Sequence, residues 1–226
     1  MRKDLTVRGE PGSTFRPYSP NGPKPTKSRV KLIKTSSAFT RLIGVGLAAA
    51  AILGAAPSAA AGVLDEVWVG GYAHDFDDSQ HKESGTAEIE FEADTAQPRF
   101  LHFIGWPSIA LTAAINTGGK TDFGGVALVW QRRLISRLSG SVQFGLDVNN
   151  GVVSAPSGPA GDELRKDRLE LGSNLLFREA VGLDWALDPR WRVGAQFIHN
   201  STGQILAHGP NEGINELGVR VGYRLP

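Results

Sequence analysis

From Glu66 to the C-terminus, apolar and polar residues alternate over stretches of about ten positions, the length of a strand that crosses a bilayer. The cleanest stretch is A-E-I-E-F-E-A-D at 87–94. Ala87, Ile89, Phe91 and Ala93 lie on one face, Glu88, Glu90, Glu92 and Asp94 on the other. W-R-V-G-A-Q-F-I-H-N-S at 191–201 sets Trp191, Val193, Ala195 and Phe197 against Arg192, Gly194 and Gln196. From Ile214 onward, Asn215, Leu217, Val219, Val221 and Tyr223 oppose Glu216, Arg220 and Arg224. A period of two is a strand whose two faces meet different media. Eight strands are predicted: near Glu66–Phe76, over 87–94, near Trp106–Asn116, over Asp122–Arg132 and Ser139–Asn149, within Leu169–Leu187, over Trp191–Ser201, and from Ile214 to the end. Between them lie an acidic loop at 77–84, an unpatterned connection from Thr95 to about Gly105, and short turns at 117–120, 133–138 and 188–190. A Gly-, Pro- and charge-rich loop covers 150–167, and a further loop covers 202–213. No internal repeat stands out.

Alternation alone fits either a soluble sheet protein, with the acidic face outside, or a membrane barrel, with that face in the lumen. The uneven charge distribution separates them. Residues 1–41 hold ten Lys/Arg against Asp4 and Glu10, residues 42–61 carry no charge, and the rest of the chain has a balance of −7. A basic lead, the apolar run Leu42–Ala56 and the small-residue string ending at Ala61 read as a secretory signal cleaved before Gly62. Three regions follow: a basic extension with the signal n-region at 1–41, the signal core and cleavage site at 42–61, and a barrel domain at 62–226. An exported chain without cysteine has no disulfides to stabilise it. A closed barrel needs none, because its strands pair every backbone group. The expected fold is therefore all-β: an eight-stranded antiparallel up-and-down transmembrane barrel of the outer membrane. Arg220 and Arg224 are expected to face the acids of 87–94, since closure brings the first and last strands together. The five Trp (68, 106, 130, 185, 191) are expected in the interfacial belt.

The same parity count isolates the candidate chemistry. His199 and Ser201 continue the apolar face of 191–201, and antiparallel pairing through the loop brings Asn215 beside them. A hydroxyl and an imidazole on one otherwise apolar face are a candidate nucleophile and base, with the Asn215 amide close to them. His74 and His81, with Asp75, Asp77 and Asp78, have some look of a metal loop. Acidic loops are usually just solvated, so no metal is expected, and no cofactor. His102 falls in the unpatterned connection and His208 beside Pro210. There is no phosphate loop and no basic patch, and the negative barrel domain argues against nucleic acid.

H-N-S-T-G at 199–203 with P-N-E-G-I-N-E-L-G-V-R-V-G-Y-R at 210–224 resembles the lipid A 3-O-deacylase (PagL) family. I-N-T-G-G-K-T at 115–121 and L-G-S-N-L-L-F-R-E at 171–179 resemble its bacterial members as well. The resemblance implies an outer-membrane barrel of Gram-negative cells that hydrolyses an ester-linked 3-hydroxyacyl chain of lipid A, with lipopolysaccharide as substrate. Ser201 would be the nucleophile, His199 the general base, and Asn215 would stand where the family carries an acid. The family commonly has Asn after the Ser; here Thr202 follows. Glu212 is a possible auxiliary acid, and the backbone N–H groups of Gly203 and Gln204 are the expected oxyanion donors. The site is expected near the outer leaflet, and a homo-oligomer stays open. Two alternatives remain at this level: a non-catalytic envelope barrel of the same family, and a soluble periplasmic barrel that binds an apolar ligand.

Overall fold

The alternation is realised as eight antiparallel strands closed on themselves. In the computed structural model, which describes residues 63–76 and 82–226, these are β1 (Leu64–Ala73), β2 (Ala87–Thr95), β3 (Ser108–Asn116), β4 (Phe123–Ile135), β5 (Leu138–Asn149), β6 (Leu175–Ala186), β7 (Trp191–Ser201) and β8 (Ile214–Arg224). Each pairs with the next, and β1 closes the barrel against β8 from Glu66↔Arg224 to Ala73↔Leu217. The extension, the signal segment, and Asp77, Asp78 and His81 lie outside the described residues.

The outer wall is apolar. Val142, Leu183 and Val219 are 52%, 55% and 69% exposed, and Phe91, Leu111, Val126, Phe144 and Val181 join them. The lumen is charged and closed: Glu88, Asp147, Arg178 and Glu216 are each 0% exposed. This is a water-soluble barrel turned inside out, and only hydrocarbon suits such a wall. The fold is that of a transmembrane barrel. Among the described residues no helix is long and apolar enough to cross a membrane, so the strands do the crossing.

The lumen is layered by register. An apolar plug of Phe123, Leu169, Leu171, Leu176 and Ile214 fills the loop-covered end. Deeper, Arg178 gives Nη2 to Glu90 Oε1 at 2.8 Å, Nη1 to Asp147 Oδ2 at 3.4 Å and Nε to Gln143 Oε1 at 3.3 Å. Deeper still, Arg220 grips Asp184 with two bonds of 3.1 and 2.9 Å and reaches Glu92 Oε1 at 3.3 Å. Arg220 thus meets the acidic face of β2 as expected, whereas Arg224 contacts Asp65 instead, at 3.7 Å. A polar cavity of about 370 Å³, lined by Glu66, Glu92, Asp94, Gln131 and Arg220 among others, opens near the chain ends. It is unsuited to an apolar ligand.

Three expectations need correction. Trp68 is not in the interfacial belt; it is 3% exposed in the lumen, where its ring lies 4.1 Å from the Arg220 guanidinium carbon. Parity gives the reason, because Trp68 shares the face of Tyr72 and not that of exposed Val69. The loop after β1 is not simply solvated: His74, Asp75 and Glu83 are almost completely buried. They fold inward over the barrel mouth. The long loop after β5 carries a nine-residue helix, α1 (Pro159–Asp167), and the unpatterned connection carries a 3-10 turn at Arg99–Ile104.

Candidate active site

Register alone brings His199 to Asn215: they are direct partners between β7 and β8. Both belong to the outward series, His199 with Phe197 and Ser201, Asn215 with Leu217 and Val219, and all three polar residues are half-buried. His199 Nδ1 lies 2.6 Å from Asn215 Oδ1. An amide oxygen can only accept, so the ring donates Nδ1–H and keeps the lone pair on Nε2. The main-chain carbonyl of Asn215 accepts Phe76 N–H at 2.6 Å, which fixes the start of β8 to the loop after β1.

Gly213 is where the loop closes over the pair. Its φ is +67°, a conformation that disfavours a side chain. A Cβ there would stand 3.3 Å from His199 Cε1 and 3.7 Å from Ser201 Cβ. The imidazole and the hydroxyl-bearing side chain therefore flank one glycine. Past Ser201 the chain turns through two left-handed residues, Gly203 at φ +57° and Gln204 at φ +56°. For Gln204 that is an uncommon backbone state of the kind concentrated at functional turns.

Thr202 braces this turn. It is fully buried, its N–H donates to Asn211 Oδ1 at 2.9 Å, and its carbonyl accepts the N–H groups of Ile205 and Leu206, both at 3.1 Å. Its Oγ1 accepts Gln204 N–H at 3.2 Å. Gln204 N–H is therefore engaged within the turn, unlike the oxyanion donor expected of it. Glu212 is engaged too. It contacts the Lys82 ammonium and accepts Glu170 N–H at 2.7 Å, while Glu212 N–H returns to Glu170 O at 3.2 Å. These bonds tie the 202–213 loop to the segment after α1. The Glu170 carboxylate accepts Ala155 N–H at 2.7 Å and Arg165 Nε at 3.0 Å. The Ala155 N–H holds its carboxyl below the ordinary value; burial opposes this and Arg165 adds to it.

One residue escaped the sequence reading. Glu179 on β6 is the register partner of His199 on its other side, and it is exposed on the outer wall. Direct cross-strand partners have Cβ atoms about 4.5–5.5 Å apart. The signal was present in the parity of β6, where Glu179 is a charge in the series Leu175, Phe177, Val181, Leu183 and Trp185. Phe177, the partner of Ser201, stacks on Phe144 at 5.7 Å and lines the wall beside the hydroxyl.

Residues 126–224, which hold all of these groups except Phe76 and Lys82, match the family model described as lipid A 3-O-deacylase (PagL). Over that stretch the chain is similar to the PagL family. The match takes in β5 to β8 complete and most of β4, and so both strands of the His199–Asn215 pair. No curated protein matches the chain by sequence. Among solved structures, the outer membrane enzyme PagL is 18% identical with a TM-score of 0.47, covering 70% of this chain and 97% of that one. Neisserial surface protein A is 13% identical with a TM-score of 0.46, over 70% and 96%. The N-terminal barrel domain of Pseudomonas aeruginosa OprF is 11% identical with a TM-score of 0.44, over 71% and 96%. Within the matched stretch, Asn215 and Thr202 are where this sequence departs from the residues the resemblance implies. One hydroxyl, one imidazole and one amide do not make a metal-binding set, so the chemistry open to this site is nucleophilic.

Proposed function

We propose that the protein is an outer-membrane serine esterase that removes an ester-linked 3-hydroxyacyl chain from lipid A. The observation that carries this is the 2.6 Å contact of His199 Nδ1 with Asn215 Oδ1 on the apolar outer wall, with Ser201 two residues along the same face. Ser201 Oγ attacks the ester carbonyl carbon and His199 Nε2 takes its proton. The tetrahedral oxyanion is met by the N–H of Gly203. Collapse releases the sugar hydroxyl, which receives the proton back from the imidazolium. Water, activated by the same nitrogen, then frees the hydroxy fatty acid. The substrate keeps its acyl chains along the outer faces of β7 and β8 while the ester meets the site from the outer leaflet. No pore is involved, since side chains fill the lumen.

Asn215 can orient the ring but brings no negative charge to stabilise the imidazolium. In the serine-protease template, replacing the acid by its amide costs on the order of 10⁴ in rate, chiefly through the wrong tautomer. The contact at Oδ1 favours the productive tautomer, so the larger part of that loss is avoided here. The decisive experiment is the mass spectrum of lipid A from a Gram-negative host expressing the protein. Lipid A lighter by one 3-hydroxyacyl group is expected, and Ser201→Ala should abolish the change, a drop on the order of 10⁴-fold or more. Unchanged lipid A from a folded, membrane-inserted wild type would leave the non-catalytic envelope barrel as the better account.

A further inference from the structure

A second histidine sits across the barrel wall from the first, and its surroundings are of another kind. His74, just past β1, is 1% exposed and points into the loop-covered end of the lumen. Its Nδ1 is 3.3 Å from Glu88 Oε2 on β2 and 3.3 Å from Glu216 Oε1 on β8. The side chains of all three are fully buried, and their donor atoms fall within 4.8 Å of one another. One ring nitrogen carries at most one hydrogen, so it cannot give a full, well-directed hydrogen bond to both carboxylates. Among the described residues, neither oxygen of Glu88 or of Glu216 receives a well-directed hydrogen bond, and neither does the ring Nδ1. Asn200, fully buried on the lumenal face of β7 diagonal to Glu216, has no partner for its amide oxygen or nitrogen either. The lumenal guanidinium of Arg178 is directed to Glu90, Asp147 and Gln143, and that of Arg168 to Glu83. Buried ionised carboxylates without donors are strongly unfavourable unless a cation completes them or a proton neutralises them.

We propose that His74, Glu88 and Glu216 form a divalent-cation site, best suited to zinc, beneath the apolar plug of the barrel. Three features point to a metal. Ligands about 2.0–2.2 Å from a tetrahedral zinc lie roughly 3.3–3.6 Å from each other, and both contacts of His74 Nδ1 are at 3.3 Å. The other ring nitrogen, Nε2, is 3.3 Å from Glu83 Oε2, the carboxylate–histidine arrangement that fixes the ring tautomer and turns the Nδ1 lone pair toward an ion. Glu83 is held in turn by Arg168 Nε at 2.7 Å, Thr121 N–H at 3.0 Å and Leu169 N–H at 3.3 Å. One imidazole and two carboxylates suit zinc, and the unpartnered Asn200 amide lies on the same lumenal face, diagonal to Glu216. The expectation of no metal treated this loop as solvated, and His74 is not. Because Phe123 and Leu169 cover the site, the ion enters as the barrel closes and then acts as a structural staple, joining the loop after β1 to β2 and β8.

The test uses the full chain refolded in detergent with excess zinc, checked for heat-modifiable gel migration, desalted and assayed for metal. About one zinc per chain is expected to stay with the wild type. The double variant Glu88→Gln/Glu216→Gln should retain none, and Glu83→Gln, which changes only the partner of Nε2, should weaken zinc about 10–100-fold. Cobalt(II) in the wild type should show the intense visible bands of a four-coordinate site, a readout that depends on no variant folding. Ser201→Ala and His199→Ala should keep the zinc, which separates this site from the esterase whether or not the esterase proposal holds. The proposal is overturned if the folded wild type takes up no zinc, if the double variant keeps it, or if His199→Ala loses it.

Discussion

Asn215 and Glu216 are consecutive residues of β8 that serve two different histidines on opposite sides of one sheet. Asn215 faces outward and gives a neutral amide oxygen to His199; Glu216 faces inward and gives a carboxylate to His74. A charged pair on an apolar outer wall has few dipoles to support it, so an amide is the inexpensive way to orient a ring there. The lumen is the reverse. Away from the His74 cluster, Arg178 holds Glu90 and Asp147 and Arg220 holds Glu92 and Asp184, and buried charge is tolerated there because it is paired. Strand parity, with its period of two residues, decides which chemistry each position receives.

The harshest way to break this contrast is to remove a lumenal cation. Arg178→Met leaves Glu90 and Asp147 buried without their guanidinium, a change that typically costs about 3–5 kcal/mol. Urea unfolding in detergent should show a loss of that size. On the proposed function, molecules that do fold should still deacylate lipid A, because the outer wall is not touched. If stability barely changed, the lumen would not be the tightly balanced interior described, and waters rather than Arg178 would be satisfying its acids.

Strand number, strand faces and the His199–Ser201–Asn215 grouping were legible because each follows from a count of alternate residues. The strand Trp191–Ser201 and its pairing with Ile214 onward needed no other information. What parity cannot convey is how loops fold back. Nothing in H-D-F marks His74 as buried, since its burial depends on Glu83, Leu169 and Phe123 arriving from three distant segments. Glu212 looked able to help His199, but Lys82 and the Glu170 N–H claim its carboxylate. Trp68 was misplaced by treating tryptophans as a class instead of counting its position against Tyr72. Glu179 could have been found by the same count that found Ser201.

A smaller perturbation sharpens the comparison from the outer side. Glu179 flanks His199 from β6 as Asn215 does from β8; in the proposed mechanism the two would divide the work of a single acid, the amide orienting the ring and the carboxylate supplying charge without a direct bond. At short range in a partly hydrated setting such a charge is worth about 1–4 kcal/mol to an imidazolium. Glu179→Gln should therefore lower kcat about tenfold or more with KM little changed. Asn215→Asp should leave activity unchanged or raise it, by about tenfold at most, and should reduce the effect of Glu179→Gln. A large drop in Asn215→Asp would show that the amide has a role a carboxylate cannot fill.

The gentlest test addresses the loops that join the two regions. Glu170 holds the post-helix segment through Ala155 N–H and Arg165, and its own N–H holds Glu212 of the 202–213 loop. Its folded-state pKa lies below the ordinary 4.5, with the Ala155 N–H as the main cause. A carboxyl depressed on folding contributes stability that is present above its unfolded value and is lost as pH falls through the folded one. The loop should therefore be at full strength at neutral pH and loosen progressively below pH 4.5. Hydrogen exchange at the Ala155 amide, corrected for the intrinsic rate, should lose protection there, by about tenfold for each unit by which the carboxyl is depressed. Glu170→Gln should show weaker protection at neutral pH and no such fall on acidification. Core strand amides of β5 and β6 should stay protected over the same range, since the first loss is confined to the loop. A wild-type Ala155 amide whose protection is flat through this window would mean that the Glu170 contacts do not hold the loop.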